Sequence, residues 1–173
     1  SVNKIAVITV EGIIFGGSVD SRGYGQVRHI EDQLKLAQRD ARVKAVLLKI
    51  NSPGGEVLAS DEISKAIARF QKQAGKPVIA SMGSVAASGG YYVAAPCRWI
   101  VANELTITGS IGVMMHTYNY RGLMNKVGVR PMVFKSGRFK DMLSGERDLE
   151  QLSPTERETV QLEEQMIQRL IDR

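Results

Sequence analysis

The stretch MGSVAASGGYY, residues 82–92, decides the fold of the chain and the place of its chemistry. The short apolar run 77–81 before it indicates a buried strand, and a helix is expected to begin near Ser88. Small residues between the two would form a tight bend that lifts Ser88 out of the sheet, beside the free N–H groups of the first helical turn. This arrangement suits a nucleophilic serine, although a bend that only packs a helix closely on a sheet would have the same composition.

A second strand, glycine-rich turn and helix come earlier in the chain. Residues 44–50 are typical of a buried parallel strand, and Asn51-Ser52-Pro53-Gly54-Gly55 follows them. Apolar residues at helical spacing then predict a helix ended by Gly75, and they are Ala59, Ile63, Ile67, Phe70 and Ala74. Because the carboxyl ends of parallel strands meet at one edge of a sheet, we expect the Gly54-Gly55 turn to face Ser88.

The alternation of strands with helices predicts an α/β fold with a largely parallel sheet. The first strand is expected at 5–10, followed by an amphipathic helix that ends near Asp40 and buries Val27, Ile30, Leu34 and Ala37. Later elements are strand-like runs at 99–101, 106–113 and 132–134, a helix around 120–127, and a capping box at 153–156 that opens a long helix.

Composition limits the classes of function. The chain has 173 residues, 43% of them apolar and 24% charged, which fits one soluble domain. A net charge of +5, with basic residues spread along the chain, argues against nucleic-acid binding. Cys97 is the only cysteine, so no internal disulfide is possible, and we expect neither a metal nor a cofactor.

The base that would activate Ser88 stays open on these grounds. His29 lies in the first amphipathic helix, and His116 follows a strand-like run without an aspartate to orient it. Lys135 or Lys140 would serve only if burial kept the amine neutral, because a charged ammonium cannot accept a proton.

Four motifs resemble those of the signal peptide peptidase A family, the membrane-anchored serine proteases of bacteria and archaea. They are residues 51–55, 83–92, 108–113 and 135–141, in the family's order and spacing. The first two are shared with the Clp protease proteolytic subunit and, more loosely, with crotonases, so the last two make the resemblance specific.

The resemblance implies roles for individual residues. Ser88 would be the nucleophile, Lys140 the general base, and Ser110 a hydrogen-bond partner that orients the lysine. The N–H groups of Gly89 and Gly55 would form the oxyanion hole, in preference to that of Gly54. On the same mapping Ser84 is structural and Lys135 is not the base.

The resemblance also implies a crotonase- and Clp-protease-like core of repeated β-β-α units over a single protease domain, residues 1–173. Its substrates would be remnant signal peptides and other unfolded polypeptides. A homo-oligomeric ring would form at the cell membrane, with the catalytic domain on the extracytoplasmic side and the lysine supplied by a neighbouring protomer. The chain is expected to be a soluble fragment without the family's N-terminal anchor and C-terminal segment.

Two other functions fit the same fold. A crotonase-type enzyme acting on acyl-coenzyme A thioesters would use the same paired N–H groups, but it needs no serine at position 88. A non-catalytic membrane scaffold would need neither Ser88 nor Lys140.

Overall fold

The computed structural model describes residues 2–17, 25–114, 116–134, 136, 144–146 and 152–171. The chain divides into two compact units, Ser1–Gly112 and Val113–Arg173, and each is described by itself. The prediction that residues 1–173 act as one protease domain stays a prediction.

The first unit is a five-stranded sheet with three helices on one face. Its strands are β1 (Lys4–Glu11), β2 (Val43–Ser52), β3 (Val78–Ala87), β4 (Trp99–Val101) and β5 (Ile107–Gly109). Its helices are α1 (Gln26–Arg39), α2 (Val57–Ala74) and α3 (Gly89–Ala94). The strand order is β1-β2-β3-β4, and β5 pairs with the carboxyl end of β3 beyond β4. All four strand pairings in the described part of the chain are parallel, which confirms the predicted α/β class and sheet type.

One face of the sheet forms the core, as the period-2 alternation of strand side chains requires. The predicted faces of α1 and α2 pack against it, with Ile30, Leu34, Ile63, Ile67 and Phe70 buried. The opposite face is open: Val7 is 55% exposed and Trp99 64% exposed. The expectation that β2 is buried like a central parallel strand therefore holds on one face only.

Strand β3 corrects one prediction, because the small-residue stretch 82–87 belongs to the strand and is not a bend after it. Ile50 of β2 pairs with Met82, but Ser52 pairs with Ala86, so β3 carries two extra residues over that span. Side chains from neighbouring segments replace the missing ladder bonds. Asn51 Oδ1 accepts the Val85 N–H at 3.2 Å, and Thr106 Oγ1 donates to the Gly83 carbonyl at 2.9 Å.

The second unit contains α4 (Arg121–Lys126) and α5 (Pro154–Ile171). The predicted capping box opens α5: the Ser153 N–H donates to Glu156 Oε2 at 2.9 Å, and the Glu156 N–H donates to Ser153 Oγ at 3.4 Å. The strand predicted at 132–134 is wrong, because its β-forming residues have no strand to pair with among the described residues. None of the helices, over the ranges given above, is both long enough and apolar enough to cross a membrane.

Candidate active site

Ser88 occupies a strained backbone position between β3 and α3. Its φ is 52° and its ψ is −121°, a conformation that costs a residue with a side chain about 1–3 kcal/mol. The Ser88 N–H donates to the Gly109 carbonyl at 2.8 Å, and the Ser88 carbonyl accepts the Tyr92 N–H at 2.9 Å. Strand pairing on one side and the helix on the other hold the serine at a half-exposed crest of the sheet.

The first turn of α3 supplies backbone donors next to Ser88. The first hydrogen bond of this helix starts at the Tyr92 N–H, so the N–H groups of the preceding turn are not used within the helix. The N–H of Ser88 itself is already bound to Gly109. Gly89 therefore contributes the first N–H that a negative charge near Ser88 could meet.

The Gly54-Gly55 turn does lie against Ser88, as the sheet topology led us to expect. A Cβ atom on Gly54 would lie 2.7 Å from the Gly89 nitrogen and 2.9 Å from the Ser88 Cβ. Gly54 also has a φ of +99°, in the region that favours glycine. No other residue fits here, because any side chain would displace the backbone of Ser88 and Gly89.

The hydrogen bonds of the turn distinguish Gly54 from Gly55. The Gly54 N–H donates to Ser52 Oγ at 3.1 Å, inside the protein. The Gly54 carbonyl accepts the Ile14 N–H at 2.9 Å, and the Glu56 N–H donates to the Ile14 carbonyl at 2.8 Å. In a parallel bridge of this kind, the Gly55 N–H points away from Ile14. It has no hydrogen-bond acceptor in the part of the chain that the structure describes.

Ser110 comes close to Ser88 through the pairing of β5 with β3, where Ala87 lies opposite Gly109. Ser110 is exposed and has a φ of 51°. Within the described ranges, Ser88 and Ser110 are the two residues other than glycine that have a positive φ. Backbone strain of this kind concentrates at functional sites, so its coincidence with two serines chosen from sequence motifs is informative.

The structure does not place the candidate lysines, because Lys135 and Lys140 lie outside the described residues. No hydrogen bond joins Ser88 to a histidine among the described residues. His29 Nε2 lies 3.0 Å from Gln33 Nε2 one turn along α1, and His116 is exposed in the second unit. Ser84 is exposed in the bulge of β3.

Cys97 is no alternative nucleophile, because burial raises the pKa of its thiol to about 12. Among the side chains that the structure describes, no group of three His, Cys, Asp or Glu could hold a metal ion.

Sequence reasoning missed two residues of the site, Ser52 and Ile14. The inward alternation of β2 could have placed the Ser52 side chain inside, next to the turn. The part played by Ile14 has no sequence signal, because only its main chain takes part.

Comparison with known proteins gives two family matches. The sequence model of peptidase family S49 matches residues 70–172, and that of Clp protease matches residues 3–103. A protein of Enterococcus faecium that carries the name signal peptide peptidase SppA is 42% identical over 82% of this chain and 42% of its own length. Protease 4 of Haemophilus influenzae is 45% identical over 73% of this chain and 20% of its own length. The chain thus spans less than half of either relative.

A solved structure of 1510-N, a membrane-bound stomatin-specific protease, superimposes with a TM-score of 0.53 and 21% identity. The match covers 69% of this chain and 52% of that one. At this identity it supports the α/β fold alone.

Proposed function

The chain belongs to peptidase family S49, and from this premise we propose that it is a serine endopeptidase in which Ser88 and Lys140 form the catalytic dyad. One observation carries the proposal. Ser88 sits at a strained strand-to-helix position against the Gly54-Gly55 turn, and among the described residues the N–H groups of Gly89 and Gly55 make no main-chain hydrogen bond. Acyl transfer needs this combination of a raised nucleophile and preorganised donors.

In the proposed mechanism Ser88 Oγ attacks the carbonyl carbon of the scissile peptide while its proton passes to the neutral amine of Lys140. The oxyanion that forms is stabilised by the N–H groups of Gly89 and Gly55. The carbon–nitrogen bond then breaks, and the Lys140 ammonium returns its proton to the leaving amine. Water, deprotonated by Lys140, hydrolyses the acyl-enzyme and regenerates Ser88.

Ser110 is proposed to orient the Lys140 amine through its hydroxyl. The strained, exposed position of Ser110, one residue after the carbonyl that holds Ser88, supports this role.

The substrates are proposed to be remnant signal peptides and other unfolded polypeptides. The name of the Enterococcus relative supports this class. We further propose a homo-oligomeric ring at the cell membrane, with the catalytic domain on the extracytoplasmic side and the dyad formed between protomers. An extended chain would suit a site built from exposed backbone donors, because folded proteins rarely offer a free strand.

Mixing two inactive variants tests the proposal directly. Ser88→Ala and Lys140→Ala are each expected to lose cleavage of a short apolar peptide, and an equal mixture of the two is expected to regain part of it. Regained activity requires that Ser88 of one protomer work with Lys140 of another. Lys135→Ala is the matched control, since it removes the other lysine of the same motif and should leave cleavage intact. Full activity of either single variant would refute the dyad.

A fluorophosphonate probe separates the protease from the other functions that the fold allows. Covalent labelling of the unmutated chain, lost in Ser88→Ala, is expected of a serine hydrolase. An enzyme for acyl-coenzyme A thioesters or a membrane scaffold would remain unlabelled.

A further inference from the structure

We propose that Ser52 is a positioning residue for the oxyanion hole, because it fixes the turn that presents the Gly55 N–H. The proposal rests on the function proposed above and adds a residue that does not contact the substrate. It answers a question that any Gly-Gly turn leaves open, namely which of the two N–H groups faces the reacting carbonyl.

The first anchor of the turn is the Ser52 hydroxyl. Ser52 ends β2 and is completely buried, and its Oγ accepts the Gly54 N–H at 3.1 Å. Gly54 is buried as well, so water cannot replace the hydroxyl as the acceptor. This bond removes the Gly54 N–H from the set of donors that a substrate could reach.

The second anchor lies on the other side of Gly54. In a trans peptide the carbonyl of one residue and the N–H of the next point in opposite directions. The Ile14 N–H holds the Gly54 carbonyl at 2.9 Å, and no cis peptide bond occurs among the residues that the structure describes. The Gly55 N–H is therefore directed away from Ile14, on the exposed side of the turn.

Both anchors are needed because the residue between them is glycine. Gly54 adopts a φ of +99°, but without a side chain it reaches positive and negative φ with similar ease. Ser52 fixes the peptide before Gly54 and Ile14 fixes the peptide after it, so together they define both backbone angles. Without the hydroxyl, the peptide before Gly54 is released and the turn is held only by its bonds to Ile14, so the Gly55 N–H is positioned less rigidly.

Kinetics of Ser52→Ala test this role. We expect kcat for a peptide substrate to fall about 10- to 100-fold, less than the roughly 10²–10³ lost when an oxyanion donor is removed outright. KM should change less than about twofold, because the turn stabilises the oxyanion and not the bound peptide. Ser52→Thr keeps the hydroxyl and should restore most of kcat.

Ile67→Val is the control for a general loss of stability, since Ile67 is completely buried in α2, ten residues after the start of that helix at Val57. A peptide aldehyde adds the second readout, because its adduct with Ser88 carries the oxyanion whereas the matched peptide amide does not. Ser52→Ala should weaken aldehyde binding in proportion to kcat and leave amide binding unchanged. Equal losses in Ser52→Ala and Ile67→Val, or no loss in Ser52→Ala, would overturn the proposal.

Amide hydrogen exchange separates this proposal from the proposed function, because it needs no turnover. In the unmutated chain the Gly54 amide should exchange slowly and the Gly55 amide rapidly, and Ser52→Ala should abolish the protection of Gly54. Protection of Gly55 in place of Gly54 would overturn the role of Ser52 even in an active protease. The expected exchange pattern in a chain that neither cleaves peptides nor labels at Ser88 would refute the protease and leave the geometry of the turn intact.

Discussion

The two ends of the same sheet use hydrogen bonds in opposite ways. At the amino end the Lys76 ammonium donates to the carbonyls of Ala37, Gln38 and Asp40 at 2.7, 3.1 and 2.9 Å. Gln71 donates to the Pro96 carbonyl at 2.7 Å and accepts the Val78 N–H at 3.1 Å. At the carboxyl end the backbone is strained at Ser88 and Ser110, and the Gly55 N–H is left without a partner among the described residues.

The difference is that the Lys76 and Gln71 side chains at the amino end have partners for their polar atoms, whereas the carboxyl end combines bonded groups with an unused Gly55 N–H and a strained backbone. The amino end closes the connections after α1 and α2, and it contributes stability. The carboxyl end keeps donors available at some cost in stability, which is the arrangement expected of a reactive site. Substitutions at the carboxyl end should therefore lower activity, and substitutions at the amino end should lower only stability. Three substitutions test this expectation, from the largest effect to the smallest.

Gly54→Ala should have the largest effect, because it adds a side chain where a Cβ would lie 2.7 Å from the Gly89 nitrogen. We expect peptide cleavage to fall by at least about 10²–10³-fold. The free energy of unfolding should fall by about 1–3 kcal/mol, because alanine is strained at this positive φ. Peptide turnover and urea unfolding measure the two effects.

Gly12→Ala is the matched control for Gly54→Ala. Gly12 also has a positive φ, +71°, but open space surrounds the position of its Cβ. It should lose stability through strain and keep most of the activity. Equal losses of activity in both variants would show that close packing at Gly54 has no special part in the site.

Lys76→Met should have the converse effect, a loss of stability without a loss of activity. It removes a charged donor from three carbonyls, and hydrogen bonds to charged groups contribute about 1.5–3 kcal/mol each when buried. Because Lys76 is partly exposed, we expect the free energy of unfolding, measured in urea, to fall by about 1–2 kcal/mol. Lys72→Met is the matched control: it removes the same charge from an exposed position of α2 and should leave both the free energy of unfolding and the activity nearly unchanged. A fall of kcat in Lys76→Met would contradict the separation of the two ends.

Asp40→Asn should have the smallest effect, and one that depends on pH. The Arg42 guanidinium, hydrogen-bonded to the carboxylate at 2.9–3.0 Å, holds the pKa of Asp40 below its ordinary value. A pKa lower in the folded than in the unfolded chain stabilises the fold above pH of about 4, and this contribution disappears as the pH falls through the folded value. The Asp40–Arg42 pair is open to solvent, so screening keeps its contribution to the free energy of unfolding small.

Melting temperatures across pH 2–7 measure the Asp40→Asn effect, as the difference between the variant and the unmutated chain. The difference should be largest near neutral pH and should close in acid. A difference that stayed constant with pH would mean that the carboxylate charge has no part in it.

Much of this architecture could be predicted from the sequence where the signal is local. The helical spacing of Ile30, Leu34 and Ala37 predicted α1, and that of Ile63, Ile67 and Phe70 predicted α2, because each pattern is complete within one element. The strand expected at 132–134 failed for the opposite reason. Strand formation depends on a partner elsewhere in the chain, and β propensity alone does not supply one.

The candidate site shows the same limit. The place of Ser88 between a strand and a helix follows from local sequence, whereas the roles of Gly89 and Gly55 rest on the family resemblance and stay predictions. The bulge in β3 could not be predicted, since Asn51 and Thr106, which replace its ladder bonds, lie 34 and 23 residues from their partners. The assignment of Lys140 as the base rests on the family resemblance and stays a prediction.

The bulge of β3 also makes the number of residues between Met82 and Ala86 matter more than their identity. Met82 and Ala86 both face the core, and the number of steps between them is even. Deleting one residue from 83–85 would leave one extra residue over that span and would displace the Gly83 carbonyl or the Val85 N–H, which Thr106 and Asn51 hold. Deleting two would make the ladder regular between Ile50 and Ser52, with Ala86 still opposite Ser52 and Ser88 in the same place. A deletion scan of this segment should therefore retain peptide cleavage better after two deletions than after one, while single substitutions at exposed Ser84 remain tolerated.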